Sequence, residues 1–298
     1  MPFEILEWFG NVPKSYVDDA QLAPLDERCP YINTTCTKKF RDASISGVCS
    51  VLTTVATGPV IICPNRLYGE NYAVLGHVAN LAFGEGHRII HPDEFTTVSH
   101  DGRNVVAFGH HFGRELRLHG QGARGNDFVD WVLARISCSG ELTDFVAVEV
   151  QTIDTTGSYY SEVVELRNGN NRINRSRAGL NWRNVIKRIL PQIIYKGHVL
   201  RREPLCSKGL FFICPSAVYG RIIENLGNNL LPYDNLQPGS ITFMWYGLAG
   251  PENGTFRLHH EGTFSTTVDQ IALAFTSPTN LPPQGVYEEA INAALGQL

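Results

Sequence analysis

The chain has 298 residues, 43% of them apolar and 18% charged, and a formal net charge of -4. That suffices for one large globular body or two small ones, and it excludes long solvated segments. No apolar run reaches the roughly 20 residues that cross a bilayer, and the acidic, aromatic start lacks a basic n-region, so a soluble cytoplasmic protein without a signal peptide is expected.

Residues 1–66 are cysteine-rich with little periodicity, and are read as an N-terminal segment carrying a metal-binding module. Residues 67–298 follow as one compact body without a clear linker. A helix is predicted over Leu67–Ala82 from the stripe Tyr72, Val74, Leu75, Val78 and Leu81. Strand-like runs follow at Arg88–Ile90, Asn104–Phe108, Arg114–Leu118, Phe128–Ile136 and Asp144–Ile153, separated by turn-forming residues. Asn181–Val199 reads as a helix interrupted or kinked near Pro191. A strand at Gly209–Cys214 and a helix at Pro215–Leu226 come next. Strands Ile241–Tyr246 and Thr255–His259, then helices Val268–Phe275 and Val286–Leu295, close the chain. Strands interleaved with helices predict an α/β or α+β fold.

Seven cysteines without a secretory address argue against a disulfide scaffold. Cys29, Cys36, Cys49 and Cys63 cluster within 35 residues. Four thiolates satisfy a tetrahedral zinc or iron centre, but no pair has tight CxxC spacing. Buried free thiols fit the spacing equally well, and both readings stay open.

The sharpest chemical feature is Val146-Ala-Val-Glu149-Val-Gln151. Residues two apart on a strand share a face, so Glu149 and Gln151 project together while Val148 and Val150 point into the core. Asp130 puts a second acid inside a neighbouring apolar strand, and Glu115 offers a third. A buried carboxylate needs a cation or hydrogen bonds to offset its desolvation. Two such acids on adjacent strands can hold Mg²⁺ against a phosphate, or pair with arginines in a sheet. From Leu166 to Arg202 the chain carries ten basic residues and no acid, leaving 15 basic against 29 acidic residues elsewhere. That concentration, including Arg177, Arg183, Lys187, Arg188 and Lys196, is the footprint of a polyanion-binding face.

Nine short segments then fall in the order found in the NotI-like type II restriction endonucleases. They include Cys29-Pro, Gly47-Val-Cys49, Ile62-Cys63-Pro-Asn-Arg66, Glu115-Leu, Asp130-Trp, Glu149-Val-Gln151-Thr, Asn184-Val-Ile-Lys187-Arg188 and Gln192-Ile-Ile-Tyr195-Lys196. The resemblance implies a PD-(D/E)xK nuclease core, a mixed central sheet flanked by helices, beside a four-cysteine iron site. It implies a homodimer in a prokaryotic cytoplasm, cutting double-stranded DNA at a palindrome and leaving 5′-phosphate and 3′-hydroxyl ends. Asp130 and Glu149 then resemble the two acids that bind Mg²⁺. Gln151 takes the place where most of the superfamily has lysine, as in the NotI branch itself, and Glu115 resembles an auxiliary acid. Cys29, Cys36, Cys49 and Cys63 resemble the iron ligands, with zinc also compatible. Two other readings compete: a non-catalytic four-cysteine DNA-binding regulator, and a cysteine hydrolase using Cys138 or Cys214.

Overall fold

Three short apolar runs at the N-terminal end pair into a small antiparallel sheet: β1 (Glu4–Trp8), β2 (Val48–Leu52) and β3 (Pro59–Ile61), in that order. The computed structural model describes residues 2–13, 26–53, 58–110, 112–113, 116–118, 127–169, 175–227, 230–278 and 281–296. These strands are not among the predicted elements. β1 carries register shifts at Ile5–Glu7 and Glu7–Trp8, which break the simple alternation that marks a strand.

The predicted helix over Leu67–Ala82 is divided. A 3₁₀ turn, Pro64–Tyr68, leads into α1 (Gly69–Phe83), whose residues Glu70, Asn71 and Tyr72 are left-handed, with φ from 55 to 59°. This break sets Tyr68 and Tyr72 together against Trp131. Next come β4 (Arg88–Ile90), β5 (Asn104–Gly109), β6 (Arg117–Leu118), β7 (Asp127–Phe128), β8 (Trp131–Ile136), β9 (Leu142–Val150) and β10 (Thr155–Thr156). They are followed by α2 (Tyr160–Arg167), β11 (Gly179–Leu180), a π turn (Val185–Ile189) and α3 (Leu190–Leu200). As expected, the helix is interrupted just before Pro191, by the π turn, and α3 continues beyond it. In the wide turn Leu190 N–H bonds to Val185 O, five residues back, and Pro191 falls in the first turn of α3, where a missing donor costs little. β12 (Leu210–Pro215), α4 (Ser216–Leu226), β13 (Ser240–Glu252), β14 (Thr255–Thr267), α5 (Val268–Thr276) and α6 (Val286–Leu295) complete the order.

β13 and β14 are far longer than predicted, because Gly247 and Gly262 are not breaks. A Cβ on Gly262 would lie 2.1 Å from the Trp245 indole opposite it, so the glycine makes room for the ring across the ladder. Gly109 does the same beneath Trp131.

The central sheet is mixed and has seven strands in the order β14-β13-β12-β9-β8-β5-β4. β9, β12 and β13 run parallel, while β8 and β14 are antiparallel to their neighbours. β12, buried at every position, is apolar throughout, as a strand covered on both faces must be. Phe243 and Trp245 meet Tyr219 of α4, whereas the next residue, Tyr246, bonds to His77 of α1 at 2.9 Å. α4 and α1 therefore cover opposite faces. α3 lies on the α4 side, with Gly197 against Ile241. The apolar side chains of the small sheet join those of the central one in one contiguous cluster. Among the described residues no helix is long and apolar enough to cross a membrane.

Candidate active site

β9 and β12 end side by side, and outside the carboxyl ends of parallel strands lies the usual place for a ligand. Here the chain opens a cavity of about 520 Å³. Its wall includes Asp130, Val150, Gln151 and Thr152, with Tyr68 and His110 from one side and Lys38 and Cys63 from the cysteine-rich segment.

Asp130 is not inside a strand as expected. β7 ends at Phe128, the chain bends at Asp130, and β8 starts at Trp131. The reason is a hydrogen bond: Val150 N–H donates to Asp130 Oδ2 at 2.7 Å, holding the carboxylate across the end of β9. β9 itself stops at Val150, so Gln151 lies just past the strand; its backbone N–H donates to Ile213 O. The Gln151 amide donates to Thr152 O at 3.2 Å.

Glu149 sits one residue behind the cavity wall. It pairs in register with Phe212, and Phe212 with Phe243, so this row faces the helices α3 and α4. Lys196 Nζ, reaching from α3, donates to Glu149 Oε1 at 2.6 Å, and the two side chains are 12% and 8% exposed. Oε2 is buried without a hydrogen-bond partner. Burial first, then the neighbouring charge of Asp130, push the Glu149 carboxyl up to about 7, against the opposing pull of Lys196 and of a backbone hydrogen bond from Asp130. The structure thus brings Asp130, Glu149, Gln151 and Lys196 to one strand end. Glu115 lies outside the described residues.

All four clustered cysteines are buried free thiols. The bridge Arg28–Thr35 sets Cys29 beside Cys36, and Cys63 N–H donates to Cys49 O at 3.2 Å. Burial raises the thiols of Cys29, Cys49 and Cys63, and each is raised further by charge on other members of the four. Among the described residues, however, no group of three or more His, Cys, Asp or Glu side chains has metal-holding spacing. As a donor set the four thiols fit a soft or borderline cation. Cys214 is fully buried in β12 with its thiol raised by desolvation, which is not the environment of a nucleophile, and Cys138 is exposed.

The basic stretch divides. Arg167, Arg175, Arg188, Lys196 and Arg201 form ion pairs with Glu27, Glu4, Asp154, Glu149 and Asp269. Arg177, Arg183 and Lys187 are exposed, and among the described residues they make no ion pair.

The model of the restriction endonuclease NotI family matches residues 17–205, a span that contains the four cysteines, both strand-end acids and Lys196. The chain belongs to the NotI family. It is accordingly a restriction endonuclease, a site-specific deoxyribonuclease that acts on DNA. A search of curated proteins returned no match. The family membership sets aside both the non-catalytic regulator and the cysteine hydrolase.

In this NotI-family chain a second cavity, of about 1190 Å³, shares Lys38 and Asp154 with the first. It is lined by Lys39, Arg41, Asn184 and Arg188, together with the rings of Phe40, Tyr159 and Tyr160. Sequence reasoning passed over Lys38-Lys39-Phe40-Arg41. The signal, three basic residues in four between Cys36 and Cys49, was present but short beside the long basic stretch.

Proposed function

We propose that this restriction endonuclease hydrolyses double-stranded DNA with a Mg²⁺ ion held by Asp130 and Glu149, on a PD-(D/E)xK-type core. The observation that carries the reading is the pair of acids gathered at one strand end, with a buried Glu149 oxygen left without a partner beside an open cavity. A buried carboxylate oxygen with no partner is costly, and a cation is the group that satisfies it. When bound, such an ion polarises a phosphate oxygen and lowers the pKa of water.

The chain's own residues supply the rest. Asp130, clamped by the Val150 N–H, is held at a fixed orientation. Gln151 carries no charge and is a poor base, so it orients a water molecule or hydrogen-bonds the phosphate. The joined cavities give the duplex a path in which Arg188, Lys39 and Arg41 follow the backbone without reading bases. Lys187, Arg177 and Arg183, exposed on the same chain segment, extend that grip.

One pair of acids cuts one strand, so a duplex cut calls for two copies, matching a homodimer on a palindromic site. The four thiols are assigned to a structural iron or zinc ion that ties the cysteine-rich loops to the small sheet; metal analysis of the purified protein should find one such ion per chain.

Replacing Glu149 by Ala tests the catalytic reading. Cleavage of long DNA in Mg²⁺ should fall by roughly 10³-fold or more, with duplex affinity largely kept. Cleavage at a normal rate would remove the assignment. Replacing Lys187 and Arg188 together by Ala should flatten the plot of log affinity against log salt by about one unit for each phosphate no longer neutralised.

A further inference from the structure

Asp130 and Glu149 are held by different devices. Asp130 takes its bond from the Val150 backbone N–H, whereas the Glu149 carboxylate, besides a backbone contact from Asp130, is gripped at Oε1 by a side chain that arrives from another element. The nearest polar neighbour along the strand, Gln151, turns its amide to Thr152 O instead. Lys196 can reach because α3 lies close on the sheet. A Cβ at Gly197 would be 2.8 Å from Ile241 Cδ1 and 2.9 Å from Val268 Cγ2, so only a residue without a side chain lets the helix settle at this depth. From there the Lys196 stem crosses the β12 row to Glu149 on β9.

We propose that Lys196 is a positioning residue for Glu149. Its ammonium holds Oε1 so that Oε2 stays presented toward Asp130, and it cancels one of the two acid charges that a docking phosphate would otherwise meet. The proposal rests on the nuclease reading of Asp130 and Glu149. It gives α3 a role distinct from backbone tracking, since Lys196 acts through Glu149 and not on DNA directly.

The test compares the wild type with Lys196→Met, Lys196→Arg, Glu149→Gln and the double variant Lys196→Met/Glu149→Gln. Affinity for a mixed-sequence duplex is measured in EDTA by fluorescence anisotropy, and plasmid cleavage is measured in Mg²⁺, with folding followed by circular dichroism. In EDTA at alkaline pH, where Glu149 is ionised even without its partner, Lys196→Met should bind roughly tenfold more weakly, because an uncompensated carboxylate then faces the phosphate. The double variant, with both charges gone, should return to about wild-type affinity. In Mg²⁺, Lys196→Met should cut about 100-fold more slowly, the scale of a misplaced catalytic group, and Lys196→Arg should regain part of that rate.

Wild-type binding and cutting by Lys196→Met would overturn the proposal. So would a double variant that binds as weakly as Lys196→Met, since Lys196 would then touch DNA itself. Should Lys196→Met fail to fold, the charge-balanced double variant decides: wild-type affinity supports the proposal and a roughly tenfold loss overturns it. Normal cutting by Glu149→Gln would instead sink the underlying nuclease assignment, whatever Lys196 does.

Discussion

Glu7 with Arg66 and Glu149 with Lys196 are both carboxylate–cation pairs withdrawn from water, yet their surroundings differ. Glu7 and Arg66 are 0% and 2% exposed. Arg66 Nε donates to both Glu7 oxygens, Ser50 Oγ donates to Oε2 at 2.6 Å, and the guanidinium also donates to Phe256 O and lies over the Tyr31 ring. Every oxygen is engaged, and the network ties β1, β2 and the 3₁₀ turn to β14. At Glu149 one oxygen is held and the other is left open. A saturated buried pair has nothing left to offer a ligand, and its removal harms folding. An unsaturated one carries an unmet cost that a ligand can relieve. The same chemistry is closed in one place and open in the other.

Substitutions at the two pairs should therefore have opposite consequences. Arg66→Met should destabilise the protein by about 3–5 kcal/mol, because it strands a buried charge; urea unfolding measures this. Ser50→Ala should cost about 1.5–3 kcal/mol by the same assay, as it removes a charged hydrogen bond from the closed network. Glu149→Gln, in contrast, should leave the unfolding midpoint near the wild type or raise it, while cleavage is lost. A large destabilisation there would mean that the Glu149 pair is architectural as well.

Acidity gives a finer probe of the open pair. The Glu149 carboxyl is raised from its ordinary 4.5 to about 7 in the folded chain, so between these values the native state binds more protons than the unfolded one. Its contribution to stability is therefore complete below about pH 4.5 and is lost as pH rises through about 7. Urea midpoints across that range should fall more for the wild type than for Glu149→Gln, and parallel curves would contradict the shift.

Part of the strand-end cluster was legible in the sequence because Glu149 lies within β9, next to its last residue. Period-two spacing set Glu149 and Gln151 on one face, but β9 stops at Val150, so Gln151 lines the cavity while Glu149 stands behind its wall; the order of the motifs tied Asp130 to them. Lys196 was legible as a basic residue but not as the partner of Glu149. That pairing depends on α3 lying across β12, which is set by Gly197 against Ile241 and has no local signature. The Glu7–Arg66 pair was hidden for a similar reason, since it joins residues 59 apart. The β13–β14 hairpin extends past both predicted strands, through Gly247 and Gly262, and Gly262 is the space that the Trp245 indole fills. The break before β8 was unreadable because it is imposed by a hydrogen bond from Val150, on another strand.

The π turn at Val185–Ile189 holds one residue more than an α-helical path needs, and it lies between two parts of one rod. Upstream and within it sit Arg183, Lys187 and Arg188; downstream sits Lys196. Gaining or losing that surplus residue would swivel the exposed cations by about 100° while the buried end of the rod stayed seated. A variant lacking that surplus residue would therefore re-aim the outer cations while the Lys196–Glu149 pair stayed in place.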